Sequence, residues 1–176
     1  MPARIAAISL TPKAYRDYGD VVSVRSDVTP RGANSGTADR FNWLAELENL
    51  RPGKAKPNLC VFRCRPQVRR GQNSFEARIL EKHPDSTQVF VPLGGTTGYL
   101  VLVCRGGEKP DLSTFRAFLA SSKQGITYRP GVWHHPLVAM DAVRDFACLV
   151  WEDRTSRDTK VVRLARPVLV NVSGRS

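Results

Sequence analysis

The stretch Gly125-Ile-Thr-Tyr-Arg-Pro-Gly-Val-Trp-His-His-Pro136 decides how the rest of the chain reads. Two of the protein's three histidines stand here behind a Pro-Gly pair. Proline presets φ for the first corner of a turn, and glycine takes positive φ at the second with no Cβ to clash, so Pro130-Gly131 predicts a tight turn. Apolar and aromatic residues on both sides predict that the segment enters a sheet. Side chains alternate faces along a strand, so His134 and His135 cannot look into one cavity. One is expected at a site and the other in a structural setting; the plainer alternative is a β-hairpin with two half-buried histidines.

Outward from this stretch, short apolar runs bounded by Gly, Pro, Asp and Asn predict strands over 21–24, 58–64, 75–82, 87–93, 99–104, 132–135, 143–151, 161–164 and 168–172. Short strands at roughly 8 to 12 residue spacing with turn signals between them favour an all-β sandwich or barrel, and no βαβ alternation appears. Two helices are expected. Thr11 as N-cap, Pro12 at the first helical position and Gly19 past the end punctuate a short one. Asp111 can cap a second over 111–120, with Leu112, Phe115, Phe118 and Leu119 on one apolar face packed against the outside of the sheets. Residues 26–57 form a loop-rich insert or cover. Within it 26–39 is a polar loop, 40–50 is open between helix and strand, and 51–57 is a turn-rich connector. Residues 152–176 are expected as C-terminal strands and tail.

The 176 residues suit one domain, 1–176. With 41% hydrophobic and 24% charged residues the composition is that of a soluble globular protein. No apolar run approaches the roughly 18 to 20 residues that span a bilayer, and the first ten residues lack a cleavage signal, so a cytoplasmic location is expected. The formal charge of +11, from 27 Lys and Arg against 16 Asp and Glu, favours an anionic substrate or polyanion. The basic residues are scattered from Arg4 to Arg175 and no nucleic-acid-binding signature is present, so a solvated basic surface is the preferred reading over nucleic-acid recognition. Cys60, Cys64, Cys104 and Cys148 contain no C-x2-C pair and are expected as free thiols.

A second constellation is Leu80-Glu-Lys-His-Pro-Asp-Ser-Thr-Gln-Val-Phe-Val-Pro-Leu-Gly94. Glu81 and His83 are two apart and share a strand face, while Gln88 opens the return strand after the turn at 84–87.

Gly-x4-Pro-Gly-x2-His resembles the second half-motif of the cupins, whose histidine points into a β-barrel, which implies that His134 faces inward. Laid over the first cupin half-motif, His-x-His-x3-4-Glu, Glu81 and His83 take the histidine positions and Gln88 the glutamate position. A metal site of Glu81, His83, Gln88 and His134 is implied, suited to nickel, zinc, manganese or iron. Gln88 in place of a carboxylate leaves a metal-free site open. The resemblance extends further. Leu80-Glu-Lys-His-Pro, Thr87-Gln-Val-Phe-Val-Pro, Lys109-Pro-Asp-Leu-Ser-Thr-Phe-Arg-Ala-Phe118, Gln124-Gly and Val132-Trp-His-His-Pro-Leu137, with the early Ala14-Tyr15 and Gly19-Asp20-Val21, resemble the ureidoglycolate lyases over residues 9–150. Arg129-Pro-Gly departs from the family's usual residues before Val-Trp-His-His. The resemblance implies a mainly β, cupin-like β-barrel (a jelly roll or double-stranded β-helix) with a few short helices outside. It implies a homodimer that cleaves ureidoglycolate to glyoxylate and urea.

That cleavage needs a base for the carbinol proton and an acid for the departing urea nitrogen, and histidine can serve as either. His134 is the expected acid/base, His83 its partner or a metal ligand, and Glu81 the group that orients or shares the proton. The substrate carboxylate calls for a cation, ideally an arginine fork. Arg63 is the candidate, ahead of Lys82, which alternates away from Glu81 and His83. Gln88 and the Tyr128 hydroxyl are expected on the urea amide. The alternative is a non-catalytic cupin that binds a small carboxylate such as glyoxylate.

Overall fold

Short apolar runs separated by turn residues give a chain built almost wholly of strands. The computed structural model describes residues 4–173, so the first and last three residues of the expected 1–176 domain lie outside the described residues. In chain order the strands among them are β1 (Arg4–Ala6), β2 (Ile8–Ser9), β3 (Val21–Val22), β4 (Arg31–Ala33), β5 (Ala38–Arg40), β6 (Lys56–Cys64), β7 (Pro66–Val68) and β8 (Ser74–Lys82). There follow β9 (Gln88–Pro92), β10 (Tyr99–Cys104), β11 (Arg116–Ala120), β12 (Gly125–Tyr128), β13 (Trp133–His134), β14 (Val138–Met140), β15 (Arg144–Glu152) and β16 (Lys160–Asn171).

One sheet runs β3-β12-β9-β15-β6, and the other carries β16-β8-β13-β10-β11 along its middle. The eight strands β6, β8, β9, β10, β11, β12, β13 and β15 have the order of a jelly roll. The first of them lies beside the last in one sheet, and the second beside the seventh in the other. The expected mainly β, cupin-like architecture is therefore what forms. At the far ends of the larger sheet, β1 pairs with β16 and β2 with β11. These two end strands are joined through Ala7 alone, so the sheet curls until its ends are neighbours.

That curl explains β10, whose six residues are all buried. Tyr99, Val101 and Val103 face the space between the sheets, with Phe90, Phe118, Ile126, Phe146 and Cys148. Leu100, Leu102 and Cys104 face a second core with Ala117, Trp133, Val138, Val168 and Val170. A strand buried on both faces reads as a continuous apolar run, and this misleads the reading of 111–120 as a helix. Only Leu112–Thr114 is helical, a single 3-10 turn capped by Asp111. Residues 116–120 are strand β11, with Phe118 and Ala120 in one core and Ala117 and Leu119 against the other.

The first helix forms as expected over Pro12–Tyr15, with Thr11 Oγ1 accepting from the Ala14 N–H at 3.2 Å. Its sequel, Gly19, is required by packing. A Cβ there would lie 1.8 Å from the Thr127 carbonyl oxygen. Residues 41–48 take up neither helix nor strand, and the two late strands expected over 161–164 and 168–172 merge into β16 with an irregularity between Arg163 and Val168. No helix among the described residues is long and apolar enough to cross a membrane.

Candidate active site

The site grows from two register pairs, one in each sheet. His134 on β13 pairs with Glu81 on β8, and Tyr128 on β12 pairs with Gln88 on β9. Residues opposite each other in a ladder share a face, so each pair presents two polar side chains together. The sheets bring the pairs into contact. The Tyr128 ring stacks on the His134 imidazole with centroids 3.9 Å apart and planes 6° from parallel. His83, one residue beyond β8, adds its ring 5.7 Å from that of His134. The Pro130-Gly131 turn locks this corner, for Gly131 adopts φ +76° and its N–H donates to the His83 carbonyl at 2.8 Å.

Both histidines hold one ring nitrogen against a backbone carbonyl. His134 Nδ1 lies 3.0 Å from Val132 O, and His83 Nδ1 lies 3.0 Å from Asp158 O. A carbonyl only accepts, so Nδ1 carries the hydrogen in each ring and Nε2 keeps its lone pair. His134 Nε2 lies 3.6 Å from Glu81 Oε1, too far for a hydrogen bond. The Nε2 atoms of both histidines, Gln88 Oε1 and the Tyr128 hydroxyl are all buried with no hydrogen-bond partner in the protein. Buried polar atoms are almost always paired, and four orphans converging on one interior mark a place for a ligand.

The electrostatics separate the roles. Burial, reinforced by His134 and opposed by Glu81, pushes the His83 pKa down to about 4, so this imidazole is neutral at pH 7. Burial alone would raise the Glu81 carboxyl, but the imidazoles of His134, His83 and His135 together outweigh that and hold it below the usual range. Burial drives Tyr128 well above the usual phenol range, so it stays protonated. One donor atom each from Glu81, His83 and His134 lies within 4.8 Å of the others. Two imidazole nitrogens with free lone pairs and a carboxylate suit a borderline divalent ion, so the residues fit the metal that the half-motifs imply.

Of the expected site residues, Glu81, His83, His134, Gln88 and Tyr128 come together. His135 takes the structural role, turned to the other face with its ring edge-on to Phe75 at 5.2 Å. Arg63 does not join them. It pairs in register with Asp145 on the outer face of β6 and β15, forking onto that carboxylate at 2.9 and 2.8 Å, with its side chain 72% exposed. Its strand neighbours Cys60 and Cys64 pack on the interior core, and alternation puts Arg63 outside. Lys82 also faces away. Its Nζ donates to Gly107 O at 2.7 Å and sits 4.8 Å over the Trp133 ring. The sequence reading missed Asp158 and Thr159, whose carbonyl and hydroxyl meet His83 Nδ1. They lie 75 and 76 residues away in the segment read as tail, and no local signal links them to it.

The family profile described as ureidoglycolate lyase matches residues 2–171. A ureidoglycolate lyase of Saccharomyces cerevisiae is 37% identical over 88% of this chain and 91% of its own length. One from Burkholderia cepacia is 38% identical over 78% and 73%, and one from Salmonella typhimurium 35% over 81% and 84%. Among solved structures, RmlC from Streptococcus suis in complex with dTDP-D-xylose is similar at 14% identity and a TM-score of 0.36, over 85% of this chain and 74% of that one. The jelly-roll assignment stands on strand order alone. With a profile match spanning nearly the whole sequence and relatives above one-third identity, this chain belongs to the ureidoglycolate lyase family.

Proposed function

We propose that Glu81, His83 and His134 cleave ureidoglycolate to glyoxylate and urea. The chain is a carbon–nitrogen lyase of its family, and the observation that carries the site assignment is the convergence of four partnerless buried polar atoms beside Glu81. Ureidoglycolate is a carbinolamide. Its carbinol O–H must lose a proton while the C–N bond breaks and the urea nitrogen gains one. His83, neutral and with Nε2 free, is suited to accept the carbinol proton. The proton taken from the carbinol passes by way of His134 and Glu81, 3.6 Å apart, to the departing urea nitrogen. The electron pair of the O–H bond becomes the C=O of glyoxylate, and that of the C–N bond leaves with urea. In this reading the Tyr128 hydroxyl and the Gln88 amide, side by side in register, bind the ureido group.

In the alternative role in which the imidazole lone pairs bind a metal instead of a proton, Glu81, His83 and His134, with Gln88 as a further oxygen donor, would hold a divalent ion such as nickel, zinc or manganese, and that ion would polarise the substrate hydroxyl as a Lewis acid. A cytoplasmic homodimer goes with this reading. Its support is the outer face of β6, where Leu59 and Val61 are 75% and 62% exposed on a strand unpaired along its other edge among the described residues. The deciding experiment incubates the protein with racemic ureidoglycolate and assays urea, ammonia and glyoxylate against spontaneous decay. Equal yields of urea and glyoxylate are expected; no acceleration would leave a carboxylate-binding protein instead.

A further inference from the structure

We propose that Arg51 is a positioning residue which, through Asp158, fixes His83 with Nδ1 protonated and Nε2 free. This rests on the reading that His83 serves the reaction. Arg51 lies 32 positions before His83 and does not touch it. It stands on a turn held by its own backbone: its N–H donates to Asn49 Oδ1 at 3.0 Å, and its carbonyl accepts from the Lys54 and Ala55 N–H groups at 3.1 Å each. Its side chain is 9% exposed and meets three carboxylates. Nη2 donates to Asp158 Oδ1 at 2.6 Å, Nη1 donates to Asp153, and Nε lies 3.1 Å from Asp85 Oδ2.

Each contact bears on His83. Asp85 belongs to the turn that follows it, where the Leu50 N–H also donates to Asp85 O at 2.7 Å. The Asp158 carboxylate organises the 153–158 turn, accepting from the N–H groups of Asp153 at 3.0 Å, Arg154 at 2.7 Å and Thr155 at 3.2 Å. The backbone carbonyl of this same Asp158 accepts from His83 Nδ1, with the Thr159 hydroxyl 3.3 Å from that nitrogen. Arg51 thus ties the segment after His83 to the turn that supplies its hydrogen-bond acceptor. Only a planar fork with five donors can engage three carboxylates at once; a lysine ammonium has neither the span nor the geometry. Were the turn to relax, Asp158 O would leave Nδ1, and the imidazole would be free to take its other tautomer and turn its lone pair from the site.

The test is Arg51→Lys, which keeps the charge and loses the fork, with Asp158→Asn alongside, which keeps the backbone carbonyl and the side-chain shape. Nitrogen-15 histidine spectra of the wild type at pH 7.5 are expected to show His83 as one tautomer, Nδ1–H. In both variants a mixture should appear. Outer-shell partners of this kind change activity about 10- to 100-fold, so kcat should fall by that amount with KM changed less than about threefold. A folded variant that keeps the single tautomer and a kcat within about twofold of wild type overturns the proposal. Should Arg51→Lys not fold, Asp158→Asn decides by the same spectrum. The spectrum needs no turnover, so a protein that fails to cleave ureidoglycolate would sink the function and leave the Arg51 assignment standing on its own result.

Discussion

Tyr128 shows most sharply how the site departs from the needs of folding. The hydroxyls of Tyr15 and Tyr99 donate to Thr127 O at 3.0 Å and to Gln124 O at 2.6 Å, yet that of Tyr128 is buried with no partner. Tyr128→Phe keeps the ring stacked on His134 and removes an unsatisfied group, so denaturant melts should show unchanged stability or a gain of up to about 1 kcal/mol. Steady-state kinetics should show the opposite sign, with kcat/KM down by about tenfold, which is about 1.4 kcal/mol of lost substrate contact. A loss of stability with no kinetic effect would return Tyr128 to the core. His134→Ala should lower kcat by at least about 100-fold in a folded protein, the low end for a general acid or base. Normal turnover there would remove the assignment. His83 contributes most visibly to the pH dependence, alongside His135, whose pKa burial also lowers. Its folded pKa of about 4 lies below the 6.5 of the free side chain, so between those values the unfolded chain binds the extra proton. Stability therefore falls as pH drops through that window, by on the order of 3 kcal/mol at about 1.4 kcal/mol per pH unit. In chelator-treated protein, His83→Asn should lessen the fall of Tm between pH 6.5 and 4, leaving the smaller part due to buried His135.

At the scale of elements, β11 is where sequence pattern and structure part. On a helix over 111–120, Ala117 would stand outside the stripe of Leu112, Phe115, Phe118 and Leu119 and tolerate a charge. On the observed strand Ala117 is 1% exposed in the second core, while Leu112 is 39% exposed. Ala117→Glu should therefore cost several kcal/mol or abolish folding, because a carboxylate buried without a partner is among the costliest changes a core can suffer. Leu112→Glu should melt within about 1 kcal/mol of wild type. Thermal unfolding of the two variants separates the alternatives, and a tolerated Ala117→Glu would restore the helix.

For the whole molecule, the jelly roll leaves β6 as the edge of its sheet with Leu59 and Val61 outward, beside the Arg63–Asp145 ion pair. Light scattering on the eluted protein should give twice the 19.6 kDa chain mass, and Val61→Glu should shift it to one chain with the melt little changed. A monomeric wild type would end the dimer reading. The +11 charge plays no visible part in the site, whose members among Glu81, His83, His134, Gln88 and Tyr128 include no lysine or arginine.

The sequence by itself determined most of the long core strands, the Pro130-Gly131 turn and the short helix at Pro12, and its resemblance to a known family implied the grouping of Glu81, His83, Gln88, Tyr128 and His134. It could do so because each rests on a local rule: alternation along a strand, the φ of proline and glycine, or a motif of fixed spacing. Tertiary structure alone decided the rest. That 116–120 is a strand follows from a second core across the larger sheet, which no window of residues contains. That Arg63 faces outward follows from the parity of β6 against Asp145, and parity is set by which face the two sheets enclose. That Asp158 and Arg51 stand behind His83 follows from turns brought together over separations of 75 and 107 residues, since hydrogen bonds and ion pairs act through distance in space and leave no spacing in the chain to read.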